Sequence, residues 1–354
     1  MRRLGVLGAA IGLAATLVSC SGGSAPAAAP SPSPATATAS PTPSPTPTKR
    51  PAPARPLPPK VNPLTGLPGV PKRPVIAVKI DDTGNGRPQI GLEYADVVYV
   101  LQVEGGATRL AAVFASRQPG TVGPVRSVRN MDPELFSAYG RAALAYSGGA
   151  AGPVARLRSS KLADAGPATR GGFYRRLGSR HAPYNLVVDL AAMARTLPHI
   201  TRPIDVGFQW AEKDTRVSTA RKVSYLSVNV GRIRQSFRWE PVSRRWLRLD
   251  ANGAVVRTAS GRPEATPNVV VQLGRVRLDA TDVDVLGTPS AYTSTVGRGA
   301  VLLFRDGRVM SGQWARSAAG NKLWYLDPRG RPLTLDPGGA WVLLADRRSP
   351  VTFR

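Results

Sequence analysis

Asp81, Asp82, Glu93, Asp96 and Glu104 fall within one short stretch, each beside an apolar run. Two carboxyl groups held several ångströms apart can serve as general acid and base on a glycan. Arg109, Arg126 and Arg129 follow closely and can grip an anionic group. Glu104, Asp81 and Asp82 are therefore the catalytic candidates, with His181 as a candidate base. Arg109, Arg126, Arg129 and Asn185 are the ligand-binding candidates. Spacing limits the pairings. In a continuous strand Asp96 and Glu104 share a face, yet at ~3.3 Å per residue they stand roughly 26 Å apart. Glu104 and Arg109 flank Gly105-Gly106 and are better placed, most simply as an ion pair fixing a hairpin.

Other chemistries find little support. The two histidines, His181 and His199, are eighteen residues apart with no acidic cluster nearby, so no metal site is expected. There is no Gly-x-Ser-x-Gly elbow and no phosphate-cradling loop followed by Lys-Ser/Thr, and no cofactor is called for. Ser147-Gly148-Gly149 offers backbone donors to an anion only weakly and reads first as a turn. Trp239, Trp246, Trp314, Trp324 and Trp341 gather in the second half. They suit a sugar-binding surface, but in small β modules such residues are more commonly core.

The elements that position these side chains begin after a long preamble. Met1-Arg2-Arg3 and the apolar run Leu4–Val18 read as a signal peptide over residues 1–19, too short for a permanent span. Leu17-Val18-Ser19-Cys20 matches the bacterial lipobox, making Cys20 the expected lipidation site. It is the single Cys of the chain, so no disulfide follows within the mature domain. Residues 20–60 form a tether of Pro, Ala, Ser and Thr with too little apolar bulk to fold. In extended polyproline II form it reaches on the order of 100 Å.

The body divides into an N-terminal α/β domain, 61–215, and a C-terminal β-rich domain, 216–354. Pro74–Ile80 reads as a largely buried strand running into Asp81-Asp82. Asp96–Glu104 and Thr108–Ser116 read as a hairpin around Gly105-Gly106. Asp132-Pro133-Glu134 looks like a capped helix start, and Asp189 caps a short helix ending before Pro198. From Val223 onward short strands alternate with tight turns such as Asn252-Gly253 and Asp306-Gly307. The fold class is α+β: layered mixed sheets and helices first, then a β-rich antiparallel module.

Charge restricts the partners. The chain carries 48 basic and 22 acidic residues, a net +26. No nucleic acid is expected, because no recognisable module accompanies an exported, lipid-anchored chain. Lipid headgroups and acidic wall polymers or peptidoglycan fit better. Abundant Arg, Ala, Gly and Pro also match the bias of GC-rich coding, which explains the charge without any partner.

Several blocks resemble the YerB-like lipoproteins: Asn62-Pro63-Leu64-Thr65-Gly66, Arg87-Pro88-Gln89-Ile90-Gly91-Leu92, Ala95–Tyr99, Glu104–Arg109 and Val122–Ser127, in that order. Leu303–Val309, Gly312-Gln313-Trp314 and Asp336-Pro337-Gly338 resemble the family's second domain. The resemblance spans residues 61–354 and implies a two-part α+β body anchored to the outer face of the cytoplasmic membrane, of uncharacterised activity. Ala182–Leu186 resembles the family's loop, but Tyr184 stands where His is expected, which argues against histidine chemistry there. The expected function is binding of an anionic or glycan wall component. The alternative is a hydrolase or transferase acting on envelope glycans through strand-end carboxylates.

Overall fold

The computed structural model describes residues 61–197 and 199–354. The expected leader, Cys20, the tether and Pro198 lie outside the described residues. Three strands form the frame: β1 (Ile76–Asp81), β2 (Val97–Gln102) and β3 (Thr108–Phe114). All three are nearly continuous apolar runs, as expected of strands covered on both faces. β3 runs antiparallel to both neighbours, pairing Asp81 with Arg109 on one side and Gln102 with Thr108 on the other. β1 is parallel to Ala143–Ala145, and β2 is parallel to Ala340–Asp346.

That last pairing joins the two halves. The strand Ala340–Asp346 lies between β2 and Asn268–Gly274, so one eleven-stranded mixed sheet draws strands from both sides of residue 215. A second sheet of five antiparallel strands, centred on Ile233–Glu240, covers one face. Its Leu226, Val228, Phe237 and Trp246 meet Val98, Val100, Leu110 and Ala112. On the opposite face Tyr99, Leu101 and Val113 pack against Phe136 and Tyr139. Trp246, Trp314 and Trp341 are buried in these layers, so they are core rather than a sugar platform.

Strand occupies 40% of the described residues and helix 15%, which makes the layout mostly β, with mixed and antiparallel sheets. The longest described helix, Ala151–Arg158, has eight residues. Two local expectations need correction. The first hairpin strand ends at Gln102, because Val103 N–H bonds Ala107 O (2.8 Å) and Glu104–Gly106 close as a 3-10 turn. Asp132 is not a cap. Its buried carboxylate accepts from Lys79 Nζ and from the Arg129 N–H, each at 2.7 Å, because a buried ammonium needs a counter-ion.

Candidate functional site

The ends of β1 and β2 and the start of β3 meet at one edge of the central sheet. Segment 122–128 runs beside this edge: Asp81 N–H bonds Pro124 O, and Arg126 N–H bonds Lys79 O, both at 2.9 Å. Register places Arg109 next to Asp81, and this segment brings in Arg126 and Arg129. Sequence spacing alone could not show that convergence.

Asp81 is sealed from solvent. Its Oδ1 accepts from the Thr83 N–H and hydroxyl, both at 2.6 Å. Oδ2 lies 3.1 Å from Arg126 Nε and 3.9 Å from Arg109 Nη2, yet makes no hydrogen bond of good geometry. Gly86 leaves room for this carboxylate: a Cβ there would come within 2.5 Å of Oδ1. Glu104 pairs with Arg129, not with the expected Arg109. The 3-10 turn carries Glu104 out of the hairpin plane and toward segment 122–129. Burial opposes the Glu104 charge, but Arg129 outweighs it and holds the carboxyl below its usual range. Arg109 is pushed down by burial and by Arg126 and Arg129, with Asp81 opposing. Underneath, burial lowers Lys79 despite its bond to Asp132.

Asp82 belongs to a different assembly. Its carboxylate accepts from Arg87 (3.0 Å), Thr108 (2.7 Å) and Arg248 (2.7 Å), and Arg248 continues to Glu264 at 3.0 Å. Burial opposes the Asp82 charge, and Arg248 more than offsets it, leaving the carboxyl below its ordinary value. Its acceptor capacity is committed to structure. His181 is exposed on its loop. Asn185 takes Arg176 Nη1 at 2.7 Å and donates to Arg180 O at 3.2 Å, bracing the loop from within. Asp96 sits at the other end of β2, where it accepts from the Ala115 and Ser116 N–H groups.

Two contributors escaped sequence reasoning. Tyr184 lies under the Arg126 guanidinium, 5.4 Å from ring centroid to Cζ. Asp282 arrives from a hairpin some 150 residues away and accepts from the Asn130 N–H at 2.9 Å. Burial raises it, with Glu104 and Asp132 adding to the shift and Arg129 opposing. No local signal marks Asp282 in the sequence.

Fold and site define a two-segment, mostly-β class whose halves are joined through one sheet. Residues 64–201 match the family described as Protein of unknown function (DUF3048) N-terminal domain, and residues 224–342 match its C-terminal domain. The chain belongs to this family, the YerB-like proteins. YerB of Bacillus subtilis (strain 168), which carries a lipoprotein name, is 26% identical over 292 residues, spanning 79% of this chain and 84% of YerB. The crystal structure of YerB from Bacillus subtilis has the same fold, with a TM-score of 0.67 at 22% identity, covering 82% of this chain and 99% of that one.

Proposed function

We propose that this chain is a lipid-anchored envelope protein that binds an anionic wall polymer without turning it over. Cys20 would hold it at the outer face of the cytoplasmic membrane, with residues 61–215 and 216–354 as its two modules. The lipoprotein name of YerB supports the anchor, and no described helix is long and apolar enough to cross a membrane. Six of the 48 cations and none of the 22 anions fall in residues 1–60, which leaves the body at +20.

The observation that carries the reading is local. Residues 165–188 contain no Asp or Glu but include Arg170, Arg175, Arg176 and Arg180. Among the described residues these four guanidinium groups donate only to neutral oxygens: Thr196 and Thr121 hydroxyls, the Asn185 amide, and the Gly86 and Pro88 carbonyls. Their charge is therefore held in place without being cancelled. The loop lies against the strand-end cluster through Tyr184 and Arg126. A polyanion meets fixed, uncompensated guanidinium groups there. Asp81 and Glu104 already face arginines, which suits binding better than proton transfer. Retention of the full chain on purified wall polymer at low and high salt tests this. Absence of retention at low salt rejects it.

One observation favours the enzymatic alternative. Asp282 is raised by burial while Glu104 is held low, and carboxyls driven apart in this way can act as acid and base. Soluble fragments released from wall glycan by the wild type, and lost in Asp282→Asn and Glu104→Gln, would establish hydrolysis instead.

A further inference from the structure

A second site lies at the opposite end of β2, away from the arginine cluster. A cleft of about 480 Å³ opens between the approach to β2, the chain just past β3 and the loop over residues 258–266. That volume is in the range that holds small ligands. Arg117, Arg245 and Arg262 line it, and among the described residues none of the three is in an ion pair. Arg117 and Arg262 both stand over the Tyr94 ring, with Cζ at 5.8 Å and 5.7 Å from its centroid. The ring holds the two cations at one wall while leaving their charge uncompensated.

Three acids line the cleft, and Asp96 is engaged by the Ala115 and Ser116 N–H groups. Glu93 Oε1 accepts from the Ser260 hydroxyl at 2.6 Å, and Glu264 Oε2 accepts from Arg248 at 3.0 Å. Each leaves its second oxygen, Glu93 Oε2 and Glu264 Oε1, shut from water with no partner. Orphaned buried acceptors cost free energy until a donor reaches them. Burial also raises Glu264 against the pull of Arg248.

We infer that this cleft binds a sugar-sized polyol carrying one oxyanion, a phosphate or a carboxylate. The three arginines take the oxyanion, and the two orphaned carboxylate oxygens accept ligand hydroxyls. Both sources of negative charge share this chemistry, and the site is independent of the basic loop over residues 165–188.

Calorimetric titration of the full chain with glucose 6-phosphate, glucuronate and neutral glucose separates the cases. The expected result is binding at about millimolar affinity or tighter for one or both anionic sugars, with glucose at least tenfold weaker. The Arg117→Ala/Arg262→Ala double variant, altered at exposed positions only, should lose at least tenfold. Glu264→Gln should weaken sugar binding more than binding of inorganic phosphate. Equal binding of glucose and the charged sugars overturns the proposal, and so does undiminished binding by the Arg117/Arg262 double variant.

Discussion

Arg248 reaches from the five-stranded sheet to Asp82 at the end of β1, 2.7 Å away, with both side chains sealed from solvent. The same guanidinium takes Glu264 at 3.0 Å and lies over Trp341. One cation thus satisfies two buried anions from different parts of the fold. Arg248→Met leaves Glu264 without its partner and Asp82 with only Arg87 and Thr108, and should cost about 3–5 kcal/mol, read as a drop in the denaturant midpoint. A change within measurement error would show that the network contributes no net stability.

Arg126 connects the strand-end cluster to the acid-free loop. Arg126→Ala should reduce retention on anionic wall polymer, and Arg175→Ala/Arg176→Ala should reduce it further, with the salt dependence becoming shallower. Unchanged retention in all three substituted positions would dissociate this face from polymer binding.

With the loop histidine replaced in His181→Gln, binding through this face should vary little with acidity between pH 8 and pH 5. Burial works against the Glu104 charge, but Arg129 holds its carboxyl below the ordinary value, and arginine does not titrate there. A bell-shaped dependence in that window would point to proton transfer and to the enzymatic reading.

Gly86 touches the Asp81 carboxylate, which faces Arg126 and Arg109. Gly86→Ala places a Cβ within 2.6 Å of the Asp81 Cβ and Cγ, so the side chain must shift. Overpacking of this kind costs about 1–3 kcal/mol. Thermal melting should fall, and polymer retention should fall with it. Melting unchanged from wild type would mean the loop over residues 83–88 yields freely.

Asp214 offers a readout in acid. Its carboxyl is only part-buried, and burial is outweighed by Arg216 and Thr334, which hold it at about 2. The folded value lies below the ordinary one, so this contribution is present above about pH 4. It is lost as pH falls toward 2. Asp214→Asn should lower Tm by about 2 °C at neutral pH, with the difference from wild type closing through that acid window. A gap that persists at pH 2 would show that the loss does not come from the carboxylate charge.

Local order was legible in advance where pattern and turn chemistry agree. Apolar runs marked β1, β2 and β3 to within a few residues. Asp306-Gly307 forms the expected tight turn, with φ of 52° and 61°, because both positions require a left-handed backbone that these residue types tolerate. The same reasoning overextended the strand before Glu104, since a 3-10 turn competes with strand pairing wherever two glycines follow an acid.

The sequence by itself determined which stretches become strands, where the chain turns, which acids and arginines between residues 81 and 129 are candidates, and which family the motifs resemble. Only the tertiary structure decided that Ala340–Asp346 would lie beside β2, that Glu104 would choose Arg129 over Arg109, and that Asp82 would be locked by Arg248, 166 residues away. The difference is physical. Side-chain periodicity and turn preference act between near neighbours, whereas the partner of a buried charge is set by desolvation and by whichever opposite charge the packed sheets bring within reach.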